Sequence, residues 1–118
     1  MFATRSPVFA LAASILLSGT WAYNDNCKGS TLHPNINNCM WAMENNIDQG
    51  ATYSDGQEFS FQDCYIKYAT NGSGAQSISG ADIYQTCRTI IEACGFAHGS
   101  YGTGNCDECH VTMNYRLS

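Results

Sequence analysis

Cys106-Asp-Glu-Cys109-His110 carries the spelling of covalent haem attachment, and its spacing would also suit a transition metal. Haem attachment needs both sulfurs and the imidazole on one local surface, at a helix start. The residues that follow argue against this. Cys109, Val111, Met113 and Tyr115 alternate with His110, Thr112, Asn114 and Arg116. Successive side chains of a strand point to opposite faces, so Cys109 and His110 diverge. A redox Cys-x-x-Cys would need a helix N-terminus to lower its thiol pKa, and the strand pattern opposes that too. No metal and no cofactor is expected, and the cysteines read as disulfide partners.

Three histidines, His33, His98 and His110, could act as general bases with Glu58, Asp107 or Glu108. Nothing in their spacing gathers them at one cleft. No Gly-x-Ser-x-Gly elbow and no His-Glu-x-x-His pair is present. The expectation is a protein without catalytic residues. A small secreted hydrolase of the nuclease kind, using His98 or His110, is the alternative. Lys28 and Lys67 are the only lysines. A lone exposed lysine can imitate a cation at a channel entrance, where acidic rings attract cations; a solvated strand residue is the simpler reading of each.

Residues 1–22 read as a secretion signal. Arg5 supplies the positive region and Val8 to Leu17 the apolar one, while Thr20 and Ala22 are the small residues of a cleavage site. The apolar run is too short to span a bilayer, which takes about 20 residues. Cleavage after Ala22 leaves residues 23–118 as a single domain, secreted and extracellular. All seven cysteines, at 27, 39, 64, 87, 94, 106 and 109, lie in that domain. An oxidising compartment turns them into staples, and a domain this small gains much from cross-links. Seven is odd, so one thiol is left over. Cys106 or Cys109 is expected to supply it, free or joining two chains in a disulfide-linked dimer. The domain holds four basic residues, Lys28, Lys67, Arg88 and Arg116, against ten acidic ones. That balance disfavours nucleic acid and anionic lipid, so no stable membrane insertion is expected.

The elements that must position these groups read as β-α-β-β-α-β. Tyr23 to Ser30 suggests an edge strand. His33-Pro34 marks a helix start, and Ile36, Cys39 or Met40, Met43 and Ile47 form its apolar stripe, with Gly50 as the stop. Trp41 lies beside the stripe and is expected in the core. Glu58 to Thr70 reads as two short strands turning near Gln62-Asp63. Asn71-Gly-Ser73 is the sole glycosylation sequon, in a flexible loop. Ser79-Gly-Ala-Asp82 approximates a capping box ahead of a helix carrying Ile83, Cys87, Ile90 or Ile91, and Cys94, closed by Gly95. His98 to Asn105 reads as a glycine-rich loop. The fold expected is α+β, a two-layer α/β sandwich: a small antiparallel sheet with two helices on one face, stapled by disulfides.

Three segments resemble the fungal killer protein four family, the virally encoded, calcium-channel-blocking killer toxins and their secreted relatives. They are Asn26-Cys-Lys-Gly-Ser30, then Ile78-Ser-Gly-Ala-Asp-Ile83 leading to Cys94, and Gly104-Asn105 followed by His110-Val-Thr-Met-Asn-Tyr115. The turn Tyr53-Ser-Asp-Gly56 also fits. Their order and spacing extend over nearly the whole mature region. The chain departs from the family in three ways. It is acidic, it has no second cysteine soon after Cys94, and Gln57-Glu58-Phe59-Ser60 holds no base where the family carries a functional lysine. The resemblance implies the same sandwich and a Cys27–Cys94 bridge. Cys39–Cys87 is a further expected pair, with Cys64 joined to Cys106 or Cys109. It also implies a toxin or effector that binds an unidentified cell-surface or apoplastic protein on neighbouring or host cells, a channel being one such target. Lys67, Lys28, His110 and Arg116 are the candidate contact residues.

Overall fold

The computed structural model describes residues 23–117. The signal sequence read over residues 1–22 lies outside the described residues. Two helices, α1 (Ile36–Asn46) and α2 (Gly80–Cys94), pack on an antiparallel sheet of β2 (Cys64–Ala69), β4 (Gly99–Gly102) and β5 (His110–Tyr115). The strand order is β2-β5-β4, with β5 in the middle. A smaller ribbon joins β1 (Thr52–Tyr53) to β3 (Ile78–Ser79). Both helices lie on one face of the larger sheet. Ile66, Tyr68, Val111 and Met113 from the strands meet Cys39, Ala42 and Met43 of α1, and Ile83, Cys87 and Ile90 of α2, in one buried cluster. Each fully buried isoleucine, valine or methionine side chain among them contributes roughly 1.5–3 kcal/mol.

Both edges of the sheet are occupied, which blunts edge-to-edge pairing with other chains. On one side Asn26 bridges to Ser100, with N–H···O distances of 2.9 and 2.8 Å in the two directions. On the other, residues 58–61 fold back on β2 through Glu58–Lys67 and Phe61–Cys64 bridges. The turn between them is Gln62-Asp63, with Gln62 at φ 53°. The stretch expected as a plain loop over His98–Asn105 thus contains β4. Gly99 reflects close backbone approach: it has φ 152°, and a Cβ there would stand 2.5 Å from the Asn26 carbonyl oxygen.

Helix α2 follows its sequence signals. The Ser79 side chain accepts from Asp82 N–H at 3.1 Å, and Gly95 closes the helix at φ 78° with its N–H on the Ile91 carbonyl. Helix α1 departs from them. Asn35 is its N-cap, accepting from Asn37 N–H at 2.9 Å, so Pro34 lies before the cap and not at the first helical position. The helix ends at Asn46, well before Gly50, because the chain turns extended at Ile47. The Asn46 amide donates to the carbonyls of Phe59 and Ser60, tying that end to the hairpin. At the other end Asp63 accepts from Asn35 N–H and the Asn38 amide. A carboxylate beside a helix N-terminus also suits the helix dipole. Trp41 is not a core residue. It is 45% exposed and stacks on Phe61 at 4.0 Å, because the buried arc runs through Cys39, Ala42 and Met43. The two helices are joined directly where the Tyr84 hydroxyl donates to the Glu44 carboxylate; that bond raises the Tyr84 pKa.

The bridges are Cys27–Cys94, Cys39–Cys64 and Cys106–Cys109. Cys27–Cys94 ties the N-terminal segment to the end of α2. The expected Cys39–Cys87 pair is not formed. Cys39 meets Cys64 instead, because the docked hairpin brings β2 under α1. Cys64 therefore has no bond to Cys106 or Cys109, which close on each other. Neither of them is the leftover thiol, and neither offers a sulfhydryl for a disulfide-linked dimer.

The free thiol is Cys87, fully buried between α2 and the sheet. Burial pushes its pKa from 9.0 up to about 12. An alkylating reagent is expected to leave it unmodified in the native protein and to label one site per chain after unfolding without reductant, read by intact mass. Ionisation favours the unfolded state, so the stability that the neutral thiol contributes is intact below pH 9. It is lost as pH rises towards 12, at up to about 1.4 kcal/mol per pH unit. Cys87→Ala should flatten that alkaline limb in urea titrations. Native labelling of the wild type would refute the assignment.

Candidate binding face

The pleat gives the sheet a second face, turned away from both helices. It carries Tyr65, Lys67 and Ala69 of β2, and His110, Thr112 and Asn114 of β5. Cross-strand register sets Glu58, Lys67, Thr112 and Ser100 in one row. Ser100 Oγ lies 2.9 Å from Thr112 Oγ1 and 2.8 Å from the Tyr23 hydroxyl, so the row ends in a hydrogen-bonded chain. Tyr65, Lys67, Thr112 and Asn114 are half-buried by their neighbours but have no helix over them.

Lys67 sits near the middle of this face. Its cross-strand neighbour Glu58 is engaged elsewhere, with a carboxylate oxygen 3.3 Å from the Arg116 guanidinium. Arg116 also donates to the Gln62 carbonyl at 2.9 Å, which fixes its position. Among the described residues Lys67 has no ion pair. The face therefore presents one cation held on a strand, with a second, compensated cation at its end.

Three of the four contact residues expected from the sequence, Lys67, His110 and Arg116, come together here. Lys28 does not; it is exposed in the N-terminal segment next to the Cys27–Cys94 bridge. His110 shares the face without being accessible. It is 7% exposed, covered by the Tyr23 ring at 4.3 Å in a stack tilted by 9°, and its Nδ1 lies 2.8 Å from the Glu108 carbonyl. It serves to seat Tyr23. The strand alternation already placed Thr112 and Asn114 on the outward side. Tyr23 and Ser100 gave no such signal, because their roles arise from pairing between distant segments.

Of the residues considered for acid–base chemistry, the His33 and His98 rings come together, and among the described residues no histidine pairs with a carboxylate. His98 is 5% exposed, and its Nε2 lies 2.8 Å from the Ser30 carbonyl. It contacts the His33 ring at 4.8 Å and the Phe96 ring at 5.4 Å, and the backbone of Gly29 fits against it. The carboxylates of Glu58 and Glu108 are bound to Arg116 and the Asn71 amide, and neither pairs with a histidine. The Cys106 and Cys109 sulfurs are spent on each other. Among the described residues, no cluster of three His, Cys, Asp or Glu side chains is arranged to hold a metal ion. No described helix is long and apolar enough to cross a membrane. Asn71 is exposed in its turn at φ 51°, with the sequon accessible. Compared with known proteins, the chain matches no family model and no curated protein.

Proposed function

We propose that this chain is a secreted, killer-toxin-like protein that acts by binding a target on neighbouring or host cells. The observation that carries this reading is the uncovered sheet face with Lys67 near its centre, where Lys67 has no ion pair among the described residues. Three bridges and paired sheet edges hold that face rigid, so little ordering opposes association. The action is recognition, without bond-making, and no cofactor takes part. A cation on a rigid support suits an acidic entrance on a target such as a channel. The secretion signal and the resemblance of the three segments support the same conclusion.

The test uses the secreted product of the full chain, applied to fungal cells and to plant seedlings. Growth arrest is expected. Lys67→Glu should weaken it by about tenfold or more, the loss of one well-placed contact worth about 1.4 kcal/mol, with unfolding behaviour unchanged. Relief by excess calcium would indicate blockade of a calcium channel, and arrest without relief another target. Full potency in Lys67→Glu would overturn the assignment to this face; no arrest on any cell would overturn toxicity.

A further inference from the structure

On the helix side of the sheet, away from Lys67, a cleft of about 220 Å³ opens between α2 and the β4 edge. Asp82, Gln85, Thr86 and Thr89 line one wall, and Tyr101, Gly102 and Thr103 the other. The space equals about seven water molecules at liquid density, room for one small polar ring. It is smaller than the 300 Å³ or more typical of pockets for drug-sized apolar ligands.

The hydrogen-bonding state of its walls specifies the ligand. Thr86 Oγ1 donates to the Asp82 carbonyl at 2.8 Å, and Thr89 Oγ1 donates to the Gln85 carbonyl at 3.0 Å. Thr103 Oγ1 is bonded to the Asn105 side-chain oxygen, an acceptor, and so donates as well. All three hydroxyl hydrogens are thus committed within the protein, and the oxygens are left as acceptors. The Asp82 carboxylate adds two acceptors and has no ion pair among the described residues. A ligand here must bring several donors. Gln85 and the Tyr101 hydroxyl also offer donors, and neither side chain is hydrogen-bonded within the described residues. The ligand must therefore accept as well as donate. An ammonium cannot accept, and an anion would meet Asp82. Adjacent hydroxyls on a ring do both, and the half-buried Tyr101 ring offers an apolar surface for the ring's C–H groups.

We infer that this cleft binds one neutral sugar ring. The inference goes beyond target binding by the Lys67 face and does not depend on it.

The secreted protein is titrated with glucose, mannose and N-acetylglucosamine by calorimetry and by tyrosine fluorescence, with putrescine as the cationic control. At least one sugar should bind saturably with a Kd of about 1 mM, the affinity of a site making a few hydrogen bonds. Thr89→Val keeps the side-chain shape and removes one acceptor; Asp82→Asn removes the carboxylate. Each should weaken binding by about fivefold or more, equivalent to about 1 kcal/mol. Lys67→Glu should leave it unchanged. Three results would overturn the inference. They are no binding of any of these sugars up to about 50 mM, binding indifferent to both cleft variants, or putrescine binding abolished by Asp82→Asn.

Discussion

Cys39→Ala/Cys64→Ala and Cys27→Ala/Cys94→Ala are each expected to lose roughly 3–5 kcal/mol of stability, and Cys106→Ala/Cys109→Ala only about 2. The ranking follows from chain separation. The Cys27–Cys94, Cys39–Cys64 and Cys106–Cys109 partners are 67, 25 and 3 residues apart, and closing a longer loop removes more freedom from the unfolded chain. Cys39 and Cys64 carry a second contribution, because both are fully buried where α1 meets β2. Their replacement also leaves space in the core, adding to the loss. Domains of this size hold only about 5–15 kcal/mol in total, so either long-range bridge is close to decisive. Urea unfolding of the three double variants checks the order. A Cys106/Cys109 variant as damaged as the other two would show that the chain-entropy argument fails here. If a long-range variant cannot be obtained folded, graded reduction of the wild type gives the same comparison, with Cys106–Cys109 opening at the smallest loss of stability.

Gly80→Ala is expected to destabilise the protein although it adds only one methyl group. Gly80 is the first residue of α2 and is buried against the loop after α1. A Cβ there would stand 1.9 Å from the Asp48 carbonyl oxygen and 2.8 Å from its carbon. Both are backbone atoms, so no side chain can rotate away. The same place holds two hydrogen bonds, from Gly80 N–H to the Ala51 carbonyl and from Ala81 N–H to the Gln49 carbonyl. Relieving the clash must lift α2 from the 48–51 loop and break them. Alanine ordinarily favours a helix over glycine by about 1 kcal/mol, but the overpacking outweighs that gain. The net loss should be about 2–3 kcal/mol, read as a lower urea midpoint. Ala81→Gly, at the exposed neighbouring position, is the control and should lose about 1 kcal/mol or less. A Gly80→Ala variant as stable as the wild type would refute the packing.

Much of the local structure follows from short-range chemistry alone. The alternation from Cys109 to Arg116 separates the core side of β5 from its outward side, because the strand period of two acts on each residue independently. Ser79 and Gly95 bound α2 because a hydroxyl can cap a helix start and glycine tolerates a positive φ. The sequence alone therefore determined an α+β fold with two helices, an antiparallel sheet and disulfide staples, and it placed Thr112 and Asn114 on the outward side of their strand. Only the tertiary structure decided the pairings. Cys39 joins Cys64 and not Cys87 because Asp63 docks the hairpin at the start of α1. Cys87, although it faces inward as its helical spacing requires, meets no second sulfur. His110 lies on the side that alternation assigns to it but is closed off by Tyr23, from the other end of the described chain. Side-chain periodicity states which way a residue points. What it meets there depends on segments tens of residues away, which no local pattern encodes.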